Sequence, residues 1–299
     1  DPSTALRDYY CQKINMPPRV SIIILNWNGL NDTIECLESL KKITYPNYEV
    51  IVVDNASKGN DADILEERYK DYIRLIKNKE NLGFAGGNNA AMKKVIEEGK
   101  SDYILLLNND TVVEPDFLTK LVEVGEKNKK AGAVGPDIRL YSDKNKVQIQ
   151  KYENFHKISE VDTLSGACLL IKVEVLKKIG LFDEIYFCYG EDRDLCERIK
   201  KAGYLNIYVP EEAKIYHKLE SSTKDFPEKK VYYMVRNDFL IIKRYKKGEE
   251  AFKFFLKDSQ IFGFIKLIIK KGKVKLIPPV AKGIIDGIAL AIKDKGYKM

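Results

Sequence analysis

The 299 residues include 51 Lys or Arg and 44 Asp or Glu, for a net charge of +7, and 44% of them are hydrophobic. This is a soluble globular make-up, of a length that suits one large α/β domain with an appendage or two modest domains, and it excludes disorder or a coiled coil as a global description. The charge is uneven: residues 246–299 hold 13 Lys and 5 acids, +8, so a near-neutral body carries a basic tail.

The first predicted strand is Val20 to Leu25, a β-branched run suited to a parallel strand buried on both faces. It leaves through Asn26-Trp27-Asn28-Gly29, and Thr33 to Ile43 follows with apolar residues at helical spacing. Next come a strand (Glu49 to Val53) ending in Asp54-Asn55-Ala56-Ser57, a helix (Asp61 to Tyr69) and a strand (Ile73 to Lys77). A Gly-rich turn, a helix (Gly87 to Glu97) and a strand (Tyr103 to Leu107) complete the first half. This alternation predicts a doubly wound, mostly parallel sheet, with ligands beyond the carboxyl ends of its strands.

Farther on, Pro115 to Lys127 reads as a helix, Ala131 to Pro136 as a strand, and Arg139 to Asp162 as short segments and loops. An apolar run (Leu164 to Ile171) and helices over Val173 to Ile179, Asp192 to Ala202 and Lys229 to Lys247 follow. Beyond Gly248 lies a Lys-studded apolar tail with a predicted break at Pro278-Pro279. The segmentation expected is a lead (1–17), a catalytic body (18–247) and an amphipathic helical extension (248–299).

No apolar run approaches the roughly 18 residues of a membrane span, and Asp1 to Arg7 lacks the features of a secretory signal, which predicts a cytoplasmic chain. The five cysteines (Cys11, Cys36, Cys168, Cys188, Cys196) form no CxxC pair and read as reduced, packed thiols.

Neither G-x-G-x-x-G nor a P-loop lysine motif follows the first strand, so the usual dinucleotide and P-loop readings fail. The acids are more informative. Asp54 ends a buried strand, where a carboxylate can accept from a base or a ribose hydroxyl; taken alone, an Asx turn explains it equally well. Asn108-Asn109-Asp110 follows the fourth strand, where one carboxylate can hold a divalent cation shared with a diphosphate, or the segment is simply an Asn-rich turn. Gly190-Glu191-Asp192 starts a helix, where acids also suit the dipole. His217 ends a strand, whereas His156 reads as structural.

Taken in order, Val20 to Gly29, Val53 to Ser57, Asn81 to Asn88, Asn108 to Asp110, Ser165-Gly166-Ala167, Gly190 to Asp192 with Asp194-Leu195, and His217 make a set that resembles the family 2 glycosyltransferases, the rhamnosyltransferase-like members above all. The resemblance spans Val20 to about Arg244. It implies a GT-A fold, a nucleotide-sugar donor (dTDP-rhamnose favoured, a UDP-sugar the alternative), a divalent cation (Mg²⁺ or Mn²⁺) and inversion at the anomeric carbon. By the same resemblance Asp54 holds the base or ribose, with Asn26 and Asn28 beside the nucleotide. Asn81, Gly83, Gly87 and Asn88 border the diphosphate, with Asn109 also in the nucleotide-sugar site. Asp110 is the last acid of the D-x-D metal motif, whose first acid is replaced here by Asn108, so His217 becomes the second protein ligand. Asp192 is the catalytic base, with Glu191 as the fallback. Arg236 and Asn237 match a segment of the family's long helix without an assigned task.

Two other readings stand beside this one: a sugar-phosphate nucleotidyltransferase, which needs a basic Gly-rich loop where Asn-Trp-Asn-Gly stands, and a noncatalytic nucleotide or carbohydrate binder. Nucleic acid is not expected as a partner, because the tail's aromatics (Phe252, Phe254, Phe255, Phe262, Phe264) lie in a dense apolar run rather than interleaved along a basic groove. The expected partners are the donor, a glycan or lipid-linked acceptor and an anionic membrane surface. The expected location is peripheral, on the inner face of the cell membrane.

Overall fold

The computed structural model describes residues 16–148, 152, 155–219, 227–257 and 259–296, so Cys11 lies outside the described residues. Strand β1 (Val20–Asn26) is the central run. Its side chains alternate between two cores: Ile22 and Ile24 pack with Leu37, Leu40 and Leu105, and Ile23 packs with Met92, Leu106 and Leu169. Burial on both faces is why Ile22, Ile23 and Ile24 are consecutive and apolar. β1 pairs in parallel with β2 (Tyr48–Asp54) and with β4 (Tyr103–Asn108), and β2 pairs in parallel with β3 (Ile73–Lys77). The crossovers are α1 (Leu30–Leu40), α2 (Asp61–Tyr69) and α3 (Gly83–Glu98).

The second half contains β5 (Thr111–Val113), α4 (Phe117–Lys127), β6 (Ala131–Leu140), β7 (Asp143–Val147), β8 (Ser159–Glu160), β9 (Cys168–Lys172), α5 (Val173–Ile179), α6 (Glu191–Lys201) and β10 (Leu205–His217). The sheet order is β3-β2-β1-β4-β9-β6-β10-β5, with β7 against β6 and β8 against β10. β9 runs antiparallel to both neighbours, β4 and β6, and β10 is parallel to β6. The sheet is therefore mostly parallel, with the longer strands β1, β2, β4, β6 and β10 sharing one direction.

Several boundaries differ from the sequence reading, and three of them bear on the crevice or the tail. Helix α1 starts at Leu30 because the Gly29 carbonyl accepts from both the backbone and the hydroxyl of Thr33 (2.9 and 3.0 Å). Helix α3 starts at Gly83, so the Gly-rich turn is its first turn, capped where the Asn81 side chain accepts from Gly83 N–H at 2.8 Å. Pro278 and Pro279 do not break the tail. They sit in the first turn of a helix, where the missing N–H groups have no intrahelical partner to lose.

After β10 the chain is helical: α7 (Pro227–Tyr245), α8 (Gly248–Lys257), α9 (Gln260–Lys271) and α10 (Ile277–Lys293). α10 lies along α7 at close range: a Cβ at Gly283 would come within 2.9 Å of the Tyr232 carbonyl, and one at Gly287 within 2.8 Å of the Arg236 carbonyl. Arg244 of α7 grips Asp294 with two hydrogen bonds (2.6 and 2.8 Å) and reaches Asp183 at 2.9 Å, tying the end of α10 to the body. Among the described residues no helix is long and apolar enough to cross a membrane.

Candidate active site

The carboxyl ends of β1, β2 and β4 bring the asparagine- and aspartate-rich segments to one crevice. Asn26 donates to Asp54 Oδ1 (2.9 Å), Ser57 (3.1 Å) and Asp61 (3.2 Å), while Asp54 Oδ2 accepts from Ser57 N–H (3.1 Å). Asn28, at φ +53, accepts from Lys58 N–H at 2.6 Å and donates its own N–H to Ser57. These bonds lock the two loops together and leave Asp54 buried beneath them. Asn109 is also buried and donates to Thr33 Oγ1 (3.0 Å) at the start of α1.

Asn55, unassigned from the sequence, organises the Gly-rich turn. Its amide donates to Asn81 Oδ1 (2.9 Å) and the Gly83 carbonyl (3.1 Å), and its oxygen accepts from Asn78 (3.0 Å) and Leu82 N–H (3.1 Å). Gly83, at φ +73, has no room for a side chain, since a Cβ would stand 2.4 Å from the Phe187 carbonyl. Gly87 lies against Leu25 of β1, and the Asn88 amide donates back to the Phe84 carbonyl at 2.9 Å. The glycines thus let α3 approach both the sheet and the loop before α6.

Asp110 and His217 meet across the sheet because β5 pairs antiparallel with β10, with Thr111 opposite His217. Both are buried, with Asp110 Oδ1 3.0 Å from His217 Nε2. Gln148 Oε1 lies 2.8 Å from His217 Nδ1, and Asn108 Nδ2 lies 3.3 Å from Nε2. A histidine that ligates a metal through Nε2 donates through its far nitrogen, and Gln148 Oε1 stands where the Nδ1–H would donate. The next residue, Lys218, bridges Asp32 (2.6 Å) and Glu35 (2.5 Å) of α1, which fixes the strand end carrying His217.

This pair suits a divalent cation. A carboxylate oxygen and an imidazole nitrogen this close, 3.0 Å apart, would hold such an ion between them. Among the described residues no group of three or more His, Cys, Asp or Glu forms a self-sufficient metal cage. Asp110 and His217, with Asn108 beside them, would hold the ion, which would supply positive charge there.

Asp192 lies in the first turn of α6. Its Oδ2 accepts from Gly166 N–H (3.1 Å) and its Oδ1 from Arg193 N–H (2.7 Å). Ala167, next to Gly166, accepts from the backbone of Asn108 at 2.9 Å, so Asp192 and the Asp110–His217 pair are joined through one short stretch of chain. Glu191 is instead buried, and its Oε2 has no hydrogen-bond partner. Burial, and then the nearby charges of Asp192 and Asp194, push its carboxyl well above the usual carboxylate range.

The loop delivering this acid pair is contorted: Phe187 and Tyr189 both have positive φ (+57 and +65), as does Gly190 (+99). Asn237 of α7 holds it. The buried amide lies 3.0, 2.9 and 2.6 Å from the carbonyls of Tyr186, Cys188 and Tyr189, and its oxygen accepts from Arg236 at 2.8 Å. Arg236 adds a bond to the Tyr186 carbonyl (3.2 Å) and stacks over Tyr233, which itself stacks on Phe187. This is the task of the Arg236-Asn237 pair that the sequence left open; its only signal was an Arg-Asn step inside an otherwise amphipathic helix. Asn237→Ala should strand these carbonyls at about 1–3 kcal/mol, lowering Tm and reducing kcat more than it raises KM. Steady-state kinetics with a melting curve check this, and an unchanged kcat would show that the loop holds itself.

The four described cysteines are free, and all but Cys188 are buried; burial pushes the Cys36 and Cys196 thiols up to about 12. They are packing groups rather than nucleophiles. His156 is exposed, 3.2 Å from Glu211 and away from the crevice residues.

A sheet of this order, with its acids and asparagines gathered at the strand ends, has the GT-A architecture. The architecture matches a mannosyltransferase from Pyrobaculum calidifontis solved with GDP-Man and Mn²⁺ (TM-score 0.62, 17% identity, 94% of this chain and 89% of that one). It also matches S. aureus TarS 1-349 with UDP (TM-score 0.64, 20% identity, 92% and 81%). The model of the glycosyltransferase like family 2 matches residues 17–239, and the chain belongs to that family. Its relatives include the N-acetylglucosaminyl-diphospho-decaprenol L-rhamnosyltransferase of Mycobacterium tuberculosis, 28% identical over 63% of this chain and 73% of that protein. Another is the low-salt glycan biosynthesis hexosyltransferase of Haloferax volcanii, 23% identical over 90% and 91%. The chain is accordingly a glycosyltransferase that uses a nucleotide-sugar donor.

Proposed function

We propose that the protein transfers a sugar, with inversion, from a nucleoside diphosphate donor to a hydroxyl of a glycan or lipid-linked acceptor, in cell-surface polysaccharide or glycolipid synthesis. The observation that carries this is the placement of a half-buried carboxylate, Asp192, within one short chain segment of the Asp110–His217 pair. A base on one side of the anomeric carbon and a cationic site on the other is what a single displacement needs.

In this reading Asn26, Asn28, Asp54 and Asn109 shape the nucleoside side of the crevice, and Asn81, Gly83, Gly87 and Asn88 set the turn beside the diphosphate. Asp192 takes the proton of the attacking acceptor hydroxyl. The two backbone N–H groups on its oxygens keep it oriented, and Glu191, held toward its protonated form, does not compete for that proton. Asp110 and His217, with Asn108 beside them, hold the divalent cation, Mg²⁺ or Mn²⁺; when bound it supplies positive charge against the departing diphosphate. No enzyme nucleophile is needed, so the configuration inverts.

The relative from Mycobacterium tuberculosis, named as an L-rhamnosyltransferase acting on a diphospho-decaprenol-linked sugar, favours dTDP-rhamnose and a lipid-linked acceptor, with UDP-sugars as the alternative donors. That acceptor class goes with a peripheral position on the inner face of the membrane. A donor screen over dTDP-rhamnose and UDP-sugars, with Mn²⁺ or Mg²⁺ and a lipid-linked N-acetylglucosamine acceptor analogue, tests the reading. Transfer from dTDP-rhamnose with inverted product configuration is expected. A product of retained configuration would overturn the mechanism, and transfer from UDP-sugars alone would overturn the donor.

A further inference from the structure

We propose that the outward face of α10, with the basic turn that precedes it, is a docking surface for an anionic lipid membrane. α10 has a face covered by α7, a polar strip at Lys282, Asp286 and Lys293, and an apolar face that is not covered. Val280, Gly283 and Gly287 pack on α7, and Ile277, Ala281, Ile285, Ile288 and Ile292, spaced four, four, three and four residues apart, face outward. The exposure is large: 67% for Ile285 and 77% for Ile292. An apolar stripe this exposed needs a covering, and none of the described chain supplies it.

Charge identifies the covering. The turn joining α9 to α10 runs Ile269-Lys270-Lys271-Gly272-Lys273-Val274-Lys275, in which all four lysines are exposed together with Ile269 and Val274. None of the four is ion-paired among the described residues. A protein interface core is depleted in Lys, and two such patches from copies of this chain would repel. Bulky aliphatics alternating with lysines instead match the water–lipid boundary, where the aliphatics enter the acyl region and the ammonium groups meet anionic headgroups. Lys266, Lys282 and Lys293 extend the same charge along the two helices. The stripe from Ile277 to Ile292 runs the length of α10, so the helix would lie in the plane of the surface.

The position suits an enzyme. α10 runs parallel to α7: Val280 shares a cluster with Val231, Gly287 lies at Arg236, and Asp294 binds Arg244. The basic turn therefore sits at the start of α7. Asn237, which holds the loop before Asp192, comes six residues after Val231, about 9 Å along the helix. A lipid-linked acceptor resting in that surface would approach the acid-bearing loop from the near end.

Vesicle flotation of the full chain tests this without donor or acceptor, so its failure leaves the proposed reaction untouched. The vesicles are phosphatidylcholine alone or with about a third phosphatidylglycerol, at low and high salt. Wild type should float with the anionic vesicles at low salt and fall at least tenfold in bound fraction at high salt, since each lysine adds about fivefold to partitioning and is screened by ions. K270E/K271E/K273E/K275E should lose about a hundredfold or more, and I285S/I288S/I292S should lose binding to the same vesicles with its melting curve unchanged. Wild type remaining in solution, or floating equally with neutral vesicles, overturns the proposal even if a variant fails to fold. Flotation of the lysine variant at the wild-type level overturns it too. So does an I285S/I288S/I292S variant that floats normally but converts a dimer to a monomer, which would make the stripe a contact between copies.

Discussion

Asp192→Asn is expected to lower turnover at least about a hundredfold, which is about 2.7 kcal/mol of transition-state stabilisation, while the donor Kd stays within about twofold. The amide keeps the size of the side chain and an oxygen for Gly166 N–H but cannot take a proton. The matched control is Glu191→Gln, expected to keep most activity because Gln mimics the protonated acid that burial favours. The pH dependence separates the two carboxyls further. A folded-state pKa raised above the unfolded value contributes stability that is complete below the unfolded value, near 4.5, and is lost as pH rises through the folded value. The Tm of Glu191→Gln relative to wild type should therefore rise as pH increases. Single-turnover kinetics, donor binding and melting curves over pH check all three. Loss of turnover in Glu191→Gln with an active Asp192→Asn would exchange the roles, and loss of Tm without loss of rate in both would reduce the pair to helix stabilisers.

His217→Ala and Asp110→Asn are each expected to cost about a hundredfold or more in kcat/KM and to abolish nucleotide-dependent Mn²⁺ binding. With two protein ligands 3.0 Å apart and an amide in place of a third acid, the cation should bind weakly to the free protein and clearly once a nucleoside diphosphate contributes oxygens. Calorimetry of Mn²⁺ into the protein with and without nucleoside diphosphate reads this independently of activity. Asn108→Asp, which restores the first acid of the motif, should tighten Mn²⁺ binding in the absence of nucleotide. Tight Mn²⁺ binding to wild type without nucleotide, or full transfer in excess chelator, would remove the ion from the mechanism.

Much of this is carried by local pattern. The unbroken run at Ile22–Ile24 and the strand–helix alternation define a sheet covered on both faces, because side-chain period and burial are properties of neighbouring residues. The same alternation puts Asn26, Asp54 and Asp110 at strand ends, so their gathering at one end of the sheet is legible in the sequence. Contacts between distant residues settle the remainder. The run before Lys172 is visibly apolar, yet only pairing with β4 and β6 makes β9 antiparallel. Gly83 looks like a turn residue, and its place in the first turn of α3 depends on Asn55 and Phe187. Gln148 becomes the partner of His217 across 69 residues, and Asn237 the clamp of a loop about 50 residues away. Pro278-Pro279 reads as a break until α7 offers a surface along which a helix can start there. Glu191 and Asp192 are adjacent and chemically alike in the chain, and only the fold separates them, burying Glu191 and raising its carboxyl while presenting Asp192 to Gly166 N–H.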